Sequence, residues 1–311
     1  MRFNSVLEPW LGSSRYKVTA DRILLIENPA DLNIDVGRLR IRRNGAEDAF
    51  VAPADVGVLI LHHHTIGLSV SALRALCGAG ACVMITDNTH MPAALMLPTA
   101  ANRSAPSRLR RQIDHLDTPV PHTLWQALVR ARIHTQAATL RSFGLNGALR
   151  LTRMEEEVEP GDRTHREGQA ARHYWQYLFD GFKRKKEGAE DGVNARLNYG
   201  YAVLRALVAR ELVAAGLSCE LGLGHRSTEN PFNLADDFME PYRFTVERHV
   251  RQLDCDAGLD SAAKKDIVKF VESEVAIGKH SYRLLPAVRE TVASYVRILE
   301  SNKGQLMLPG G

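Results

Sequence analysis

Between residues 224 and 243 the chain reads GHRSTENPFNLADDFMEPYR, its densest run of polar and ionisable side chains. Asn230 followed by Pro231 is a good helix start, because Asn accepts bonds from the first free amides and Pro gives up an amide that would be unpaired there anyway. In a helix running from Pro231, Asp236 and Asp237 lie four and three residues before Glu240, so Glu240 shares a face with both, about one turn away. Like charges this close raise one another's pKa unless a basic group or a cation compensates them, and a divalent metal is such a cation. His225 sits in a glycine-flanked loop that can fold back over the first turns of this helix. One imidazole with two or three carboxylates favours Mn²⁺ or Mg²⁺ over a structural zinc. A solvated acidic helix start, favoured by the helix dipole, fits the same residues.

A further carboxylate comes from THREGQAARHYWQYLF. Counted from Glu167, the residues Ala170, Ala171, Tyr174 and Leu178 fall on one helical face, which turns Glu167 toward the core. A carboxylate there must be paired, protonated or bound to a metal. Arg172, Arg205 and Arg210 are the candidate partners, and position does not choose between an ion pair and a metal. Two basic runs are also present. Arg103, Arg108, Arg110 and Arg111 surround the stretch PTAANRSAPSR, and Lys183, Arg184, Lys185 and Lys186 close the helix that carries Glu167. A helix C-terminus and a solvated surface explain part of this charge, while a polyanionic substrate would use all of it.

Other features carry less. His62, His63 and His64 follow a strand, where adjacent side chains point to opposite faces, so they make a poor single metal site. The glycine pair GLG at 222 lacks the strand and βαβ context that dinucleotide binding needs. Trp125 and Trp175 fall in helical stretches and read as core rather than as a base-stacking platform.

The elements that must position these residues divide the chain in two. Apolar or alternating runs at ILLIE (23), RLRIRR (38), VGVLIL (56), ACVMIT (81) and AALML (93) predict strands, with SVSALRALCGAG crossing between two of them as a helix. Beyond the linker at Pro98, helices are predicted at 105–117, 122–145, 163–180, 193–217, 231–253, 262–277 and 286–301. The fold class expected is α+β: a small β-rich N-terminal domain over 1–100, followed by a larger all-α C-terminal domain over 101–311. With 311 residues, 45% hydrophobic and 24% charged, this is the composition of an ordinary globular protein rather than a disordered, collagenous or disulfide-stapled one. The net charge of +4 permits an anionic partner without requiring one. Cys77, Cys82, Cys219 and Cys255 have no metal-ligand spacing and are expected to be reduced and mostly buried. No leader and no long apolar span is legible, so a cytoplasmic protein without a membrane segment is expected.

Three separated motifs, REGQAAR at 166, NARLNYGYAVLRALVARE at 194 and LGLGHRSTENPFNLADDFMEPYR at 221, resemble the CRISPR-associated integrase of spacer acquisition, the first Cas protein, and most closely its type II members. The resemblance covers about residues 150–250 at motif level. It implies a metal-dependent DNA endonuclease and integrase that inserts short foreign DNA into CRISPR arrays by 3′-hydroxyl attack on a repeat phosphodiester. It further implies double-stranded DNA as partner, a homodimer formed through the β-rich domain, and a heterohexamer with a small ferredoxin-like companion Cas protein. Carried over by position, Glu167, His225 and Glu240 are the ligands for Mg²⁺ or Mn²⁺, and Asp237 joins them as a catalytic residue. The doubled Asp236-Asp237 leaves the division of labour between the two open. Lys183, Arg184, Lys185, Lys186, Arg243, Arg108, Arg110 and Arg111 become candidate phosphate contacts. A non-catalytic DNA-binding scaffold with a structural acidic cluster is the competing reading, and a metallohydrolase of small phosphorylated metabolites is a third.

Overall fold

The computed structural model describes residues 22–87, 92–98, 104–185, 192–253 and 259–310. Its N-terminal part is β-rich and the remainder helical. The first sheet has the order β1 (Arg22–Ile26), β5 (Val56–Leu61), β7 (Cys82–Thr86), β8 (Pro92–Met96); the first three are parallel and β8 is antiparallel to β7. The β5 to β7 crossover is made by α1 (Val70–Gly78), started by Ser69, whose hydroxyl accepts from the Ala72 amide. All six residues of β5 are buried, as a continuous apolar run covered on both faces requires. The second sheet, β4 (Ala49–Val51), β3 (Arg38–Arg42), β2 (Asp31–Asp35), β6 (Gly67–Leu68), packs on one of those faces. Three of its strands escape a sequence reading because DLNID, AFV and GL are too polar or too short to show a period.

The helical part comprises α2 (Ala105–Leu116), α3 (Val120–Ser142), α4 (Ala148–Glu156), α5 (Arg166–Leu178), α6 (Gly192–Ala214), α7 (Asn233–Met239), α8 (Arg243–Arg251), α9 (Ser261–Ile267) and α10 (Leu284–Ser301). The single helix expected at 231–253 is two, joined by a 3₁₀ turn at Glu240–Tyr242, where Pro241 supplies no amide to continue the α-helical ladder. The helix expected at 262–277 stops at Ile267. A 3₁₀ turn and a hairpin of β9 (Glu274–Ile277) and β10 (His280–Arg283) follow, with Val275 and Ile277 alternating inward and Gly278 in the left-handed region.

The other face of the first sheet belongs to the helical core. Val58, Ile60, Cys82 and Met84 pack into the same cluster as the apolar residues of α3, α6 and α8. Polar contacts cross the same boundary: Arg210 donates to the Gly80 carbonyl at 2.7 Å, His62 bonds the Tyr199 hydroxyl at 2.9 Å, and Lys265 pairs with Glu27 at 2.7 Å. Cys77, Cys82 and Cys219 are free thiols, and burial pushes Cys82 and Cys219 up to about 12; Cys255 lies outside the described residues. Among the described residues no helix is long and apolar enough to cross a membrane.

Candidate active site

Asp237 on α7 organises the loop before it. Its buried carboxylate accepts the amides of Leu223 (2.5 Å), Gly224 (3.0 Å) and His225 (3.0 Å), and the ring Nδ1 of His225 at 2.7 Å. Asn233 ties the same loop down by donating to the carbonyls of Glu220 and Ser227. Room for this wrapping depends on glycine. A Cβ on Gly222 would lie 2.9 Å from Asn233 Cβ, and one on Gly224 would overlap the indole of Trp125, which also packs edge-on against the His225 ring. The GLG pair is therefore a close-packing device around a carboxylate. A carboxylate at Nδ1 makes that nitrogen the donor and leaves Nε2 of His225 facing outward with its lone pair. The hydrogen bond to Asp237 raises the His225 pKa against the opposing effect of burial, with Asp237, Glu240 and Asp236 adding charge attraction.

Glu240 begins the 3₁₀ turn between α7 and α8 and is 3% exposed. One oxygen lies 2.8 Å from the Arg243 guanidinium and the other 3.5 Å from Nε of Arg132. Burial raises its pKa, Arg243 opposes that, and the negative charge of Glu167 raises it again. Glu167 therefore lies within electrostatic reach of Glu240. Its position is set by Asp162, whose carboxylate accepts the first-turn amides of Arg166 and Glu167 at 2.8 and 3.1 Å. None of the arginines considered for Glu167 pairs with it. Arg205 is committed to Asp236 (2.6 Å), Arg210 to Glu211 and Gly80, and Arg172 is exposed. Asp236 is further held by the Asn230 amide at 2.7 Å, so the two adjacent aspartates face different partners.

As the side chains stand, among the described residues no three His, Cys, Asp or Glu groups converge into a cation site, and Glu240 faces two arginines. The donor set nevertheless fits a hard or borderline divalent cation: one imidazole nitrogen without a partner among the described residues and two carboxylates, one of them raised in pKa by its burial and further by the charge of the other.

Beneath these groups lies a buried network that sequence reasoning missed. Arg132 of α3 makes two bonds to Glu247 of α8, and the hydroxyls of Tyr174 (α5) and Tyr201 (α6) donate to the same carboxylate at 2.9 and 2.6 Å. Glu247 is seven residues after Glu240 and Tyr174 seven after Glu167, two helical turns in each case. The network thus ties together the two elements that carry the candidate ligands. The seven-residue spacing was the available signal.

A cleft of about 520 Å³ opens beside His225, lined by Arg184, Arg205, Arg243, Tyr201 and residues 93–95 of β8 among others. Arg184 is held there by Asn194 and Asn198 and lies over the Tyr201 ring. Lys183 and Lys185 are exposed, while Lys186 and Arg103 lie outside the described residues. On α2, Arg110 is exposed and Arg111 donates to the Leu299 carbonyl. Arg108 is not available as a phosphate contact: it is buried, pairs with Glu300 at 2.9 Å and donates to the Ala215 carbonyl at 2.6 Å. Its helical face turns inward, which a run of four arginines does not reveal. His63 and His64 stack on each other and His62 is buried on Tyr199. Trp175 packs with Phe179 and Phe182.

The sequence model of the family described as "CRISPR associated protein Cas1" matches residues 23–254. A CRISPR-associated endonuclease Cas1 of Neisseria meningitidis serogroup C (strain 8013) is 37% identical over 295 residues, 93% of this chain and 95% of the relative. Among solved structures, a casposase bound to integration product aligns with a TM-score of 0.77 at 19% identity, covering 92% of each chain. A Cas6-RT-Cas1–Cas2 complex aligns with a TM-score of 0.74 at 18% identity, covering 94% of this chain and 36% of that one.

Proposed function

This chain belongs to the CRISPR-associated Cas1 family, and we propose that it is a divalent-metal-dependent DNA endonuclease and integrase that joins short DNA to a CRISPR repeat through 3′-hydroxyl attack. The observation that carries this reading is the Asp237 clamp on His225, which leaves Nε2 as the ring nitrogen open to a ligand within electrostatic reach of Glu240, itself within reach of Glu167. Glu167, His225 and Glu240 would hold Mg²⁺ or Mn²⁺. When bound, the ion supplies charge stabilisation at the scissile phosphate and lowers the pKa of the attacking hydroxyl.

The chain's own residues do the rest. Asp237 sets the tautomer and orientation of His225, so that Nε2 is the atom left for the cation or for the proton of the attacking hydroxyl. Asp162 fixes the first turn of α5 and with it Glu167. Asp236 holds Arg205 at the cleft wall. Arg184 and Arg243 in the cleft, with Lys183 and Lys185 outside it, would hold the DNA backbone without reading bases. Double-stranded DNA, a homodimer and a heterohexamer with the small companion Cas protein are the partners of this reading. The similarity to a Cas1 endonuclease, and in fold to a casposase bound to its integration product and to a Cas1–Cas2 complex, supports it.

The arginine pairs on Glu240 also suit a scaffold whose acidic cluster is structural. Strand transfer of a short duplex with free 3′-hydroxyl ends into a supercoiled plasmid carrying a CRISPR repeat, with companion protein, separates the two. Joined products that vanish with EDTA and in Glu240→Ala support the integrase. Absence of joining under all conditions, with DNA binding intact in both proteins, supports the scaffold.

A further inference from the structure

Building on the cation site proposed above, we infer that Arg243 is an exchangeable counter-ion: it neutralises Glu240 while no cation is bound and turns into the neighbouring cleft, toward a DNA phosphate, when one is. The two arginines on Glu240 are not equivalent. Arg132 is 3% exposed in its side chain and locked by two bonds to Glu247, so it has no second position. Among the described residues Arg243 has one ion pair, to Glu240, with the charge of Glu167 also within reach, and its Nε is buried with no hydrogen-bond partner. Its side chain is 21% exposed and lines the cleft that also holds His225, Arg184 and Arg205. The guanidinium lies over the Tyr201 ring, 4.8 Å from its centre. The ring is itself fixed through its hydroxyl to Glu247, so the cation can slide across a rigid aromatic face without losing that attraction.

Charge balance requires two positions. Glu240 without a cation would be a buried, under-compensated carboxylate, which is costly. Glu240 with a divalent ion and Arg243 still 2.8 Å from its oxygen would set two cations against each other at short range in a poorly solvated site. Moving one arginine resolves both, and the cleft is where it can go. Divalent ion and DNA should therefore bind with positive coupling, since each draws Arg243 away from Glu240 in the same direction.

Mn²⁺ binding to the full chain, measured by titration calorimetry with and without a short DNA duplex, tests this for wild type, Arg243→Gln and Glu240→Gln. Arg243→Gln should bind Mn²⁺ alone at least about tenfold more tightly than wild type, because a neighbouring positive charge is gone. The duplex should tighten Mn²⁺ binding to wild type by a similar factor and change that of Arg243→Gln much less. Wild-type or weaker Mn²⁺ affinity in folded Arg243→Gln overturns the inference. If that variant does not fold, Arg243→Met, which keeps the stem over Tyr201, is held to the same criterion. Wild type alone also decides: a duplex that leaves its Mn²⁺ affinity unchanged refutes the exchange. Unchanged Mn²⁺ binding in Glu240→Gln overturns the cation site itself and this inference with it, whereas loss there with no effect at Arg243 overturns only the exchange.

Discussion

Replacing Glu247 with Gln changes one atom type and almost no volume, yet it removes the charge on which four helices converge. Glu247 is fully buried and accepts two bonds from Arg132 and one each from Tyr174 and Tyr201. Without it, Arg132 keeps only the carboxylate of Glu240, 3.5 Å from its Nε and outside hydrogen-bonding geometry. Removing one member of a buried ion pair costs about 3–5 kcal/mol, most of it the penalty of the stranded partner. At about 2 °C per kcal/mol for a chain of this size, the thermal midpoint should fall by about 6–10 °C. The pH dependence has a definite sign. Burial alone would raise the Glu247 pKa, but Arg132 and the two tyrosine hydroxyls outweigh it and hold it below the ordinary 4.5. A depressed folded pKa stabilises the protein above the unfolded value, and that stabilisation is lost as pH falls through the folded one. The midpoint gap between wild type and Glu247→Gln should therefore be widest near neutrality and narrow below pH 4.5. Thermal unfolding followed by circular dichroism at several pH values is the assay. Midpoints within about 2 °C at pH 7, corresponding to about 1 kcal/mol, would refute the claim that Glu247 carries the Arg132 charge.

Asp237→Asn should leave the fold largely intact but release the His225 ring, lowering strand transfer or Mn²⁺ affinity by about 10–100-fold; normal values for both would remove Asp237 from the positioning role. Gly224→Ala drives a methyl group into Trp125 and should cost at least about tenfold in activity, with partial recovery in the Gly224→Ala, Trp125→Leu double variant; full activity in the single variant counts against the close-packed loop. Changing both Lys183 and Lys185 to Ala should reduce the slope of log affinity for DNA against log salt by about 2, close to 0.9 per phosphate contact, and an unchanged slope excludes them from the interface. Arg108→Ala should do the opposite, lowering the unfolding midpoint while leaving the salt slope alone, because its partners are Glu300 and the Ala215 carbonyl.

Local chemistry made much of this protein legible without a structure. Continuous apolar runs announced β1, β5, β7 and β8, and helical spacing announced the crossover α1 and most of the C-terminal helices, because those signals depend on near neighbours in the chain. The candidate residues Glu167, His225, Asp237 and Glu240 could be singled out because carboxylates on one helical face and a glycine-flanked histidine are local patterns too. What the tertiary structure decided is how each charge is answered. Asp236 and Asp237 are adjacent and identical in type, yet one meets Arg205 and the other takes in the loop at His225. Arg108 and Arg110 are two apart on one helix, and only Arg108 is buried on Glu300, 192 positions away. Arg132, unremarkable within α3, proves to be the cation beneath Glu240. Burial and ion pairing depend on which distant elements come together in a medium of low polarity, and that information lies in the packing of the whole chain rather than in any one segment of it.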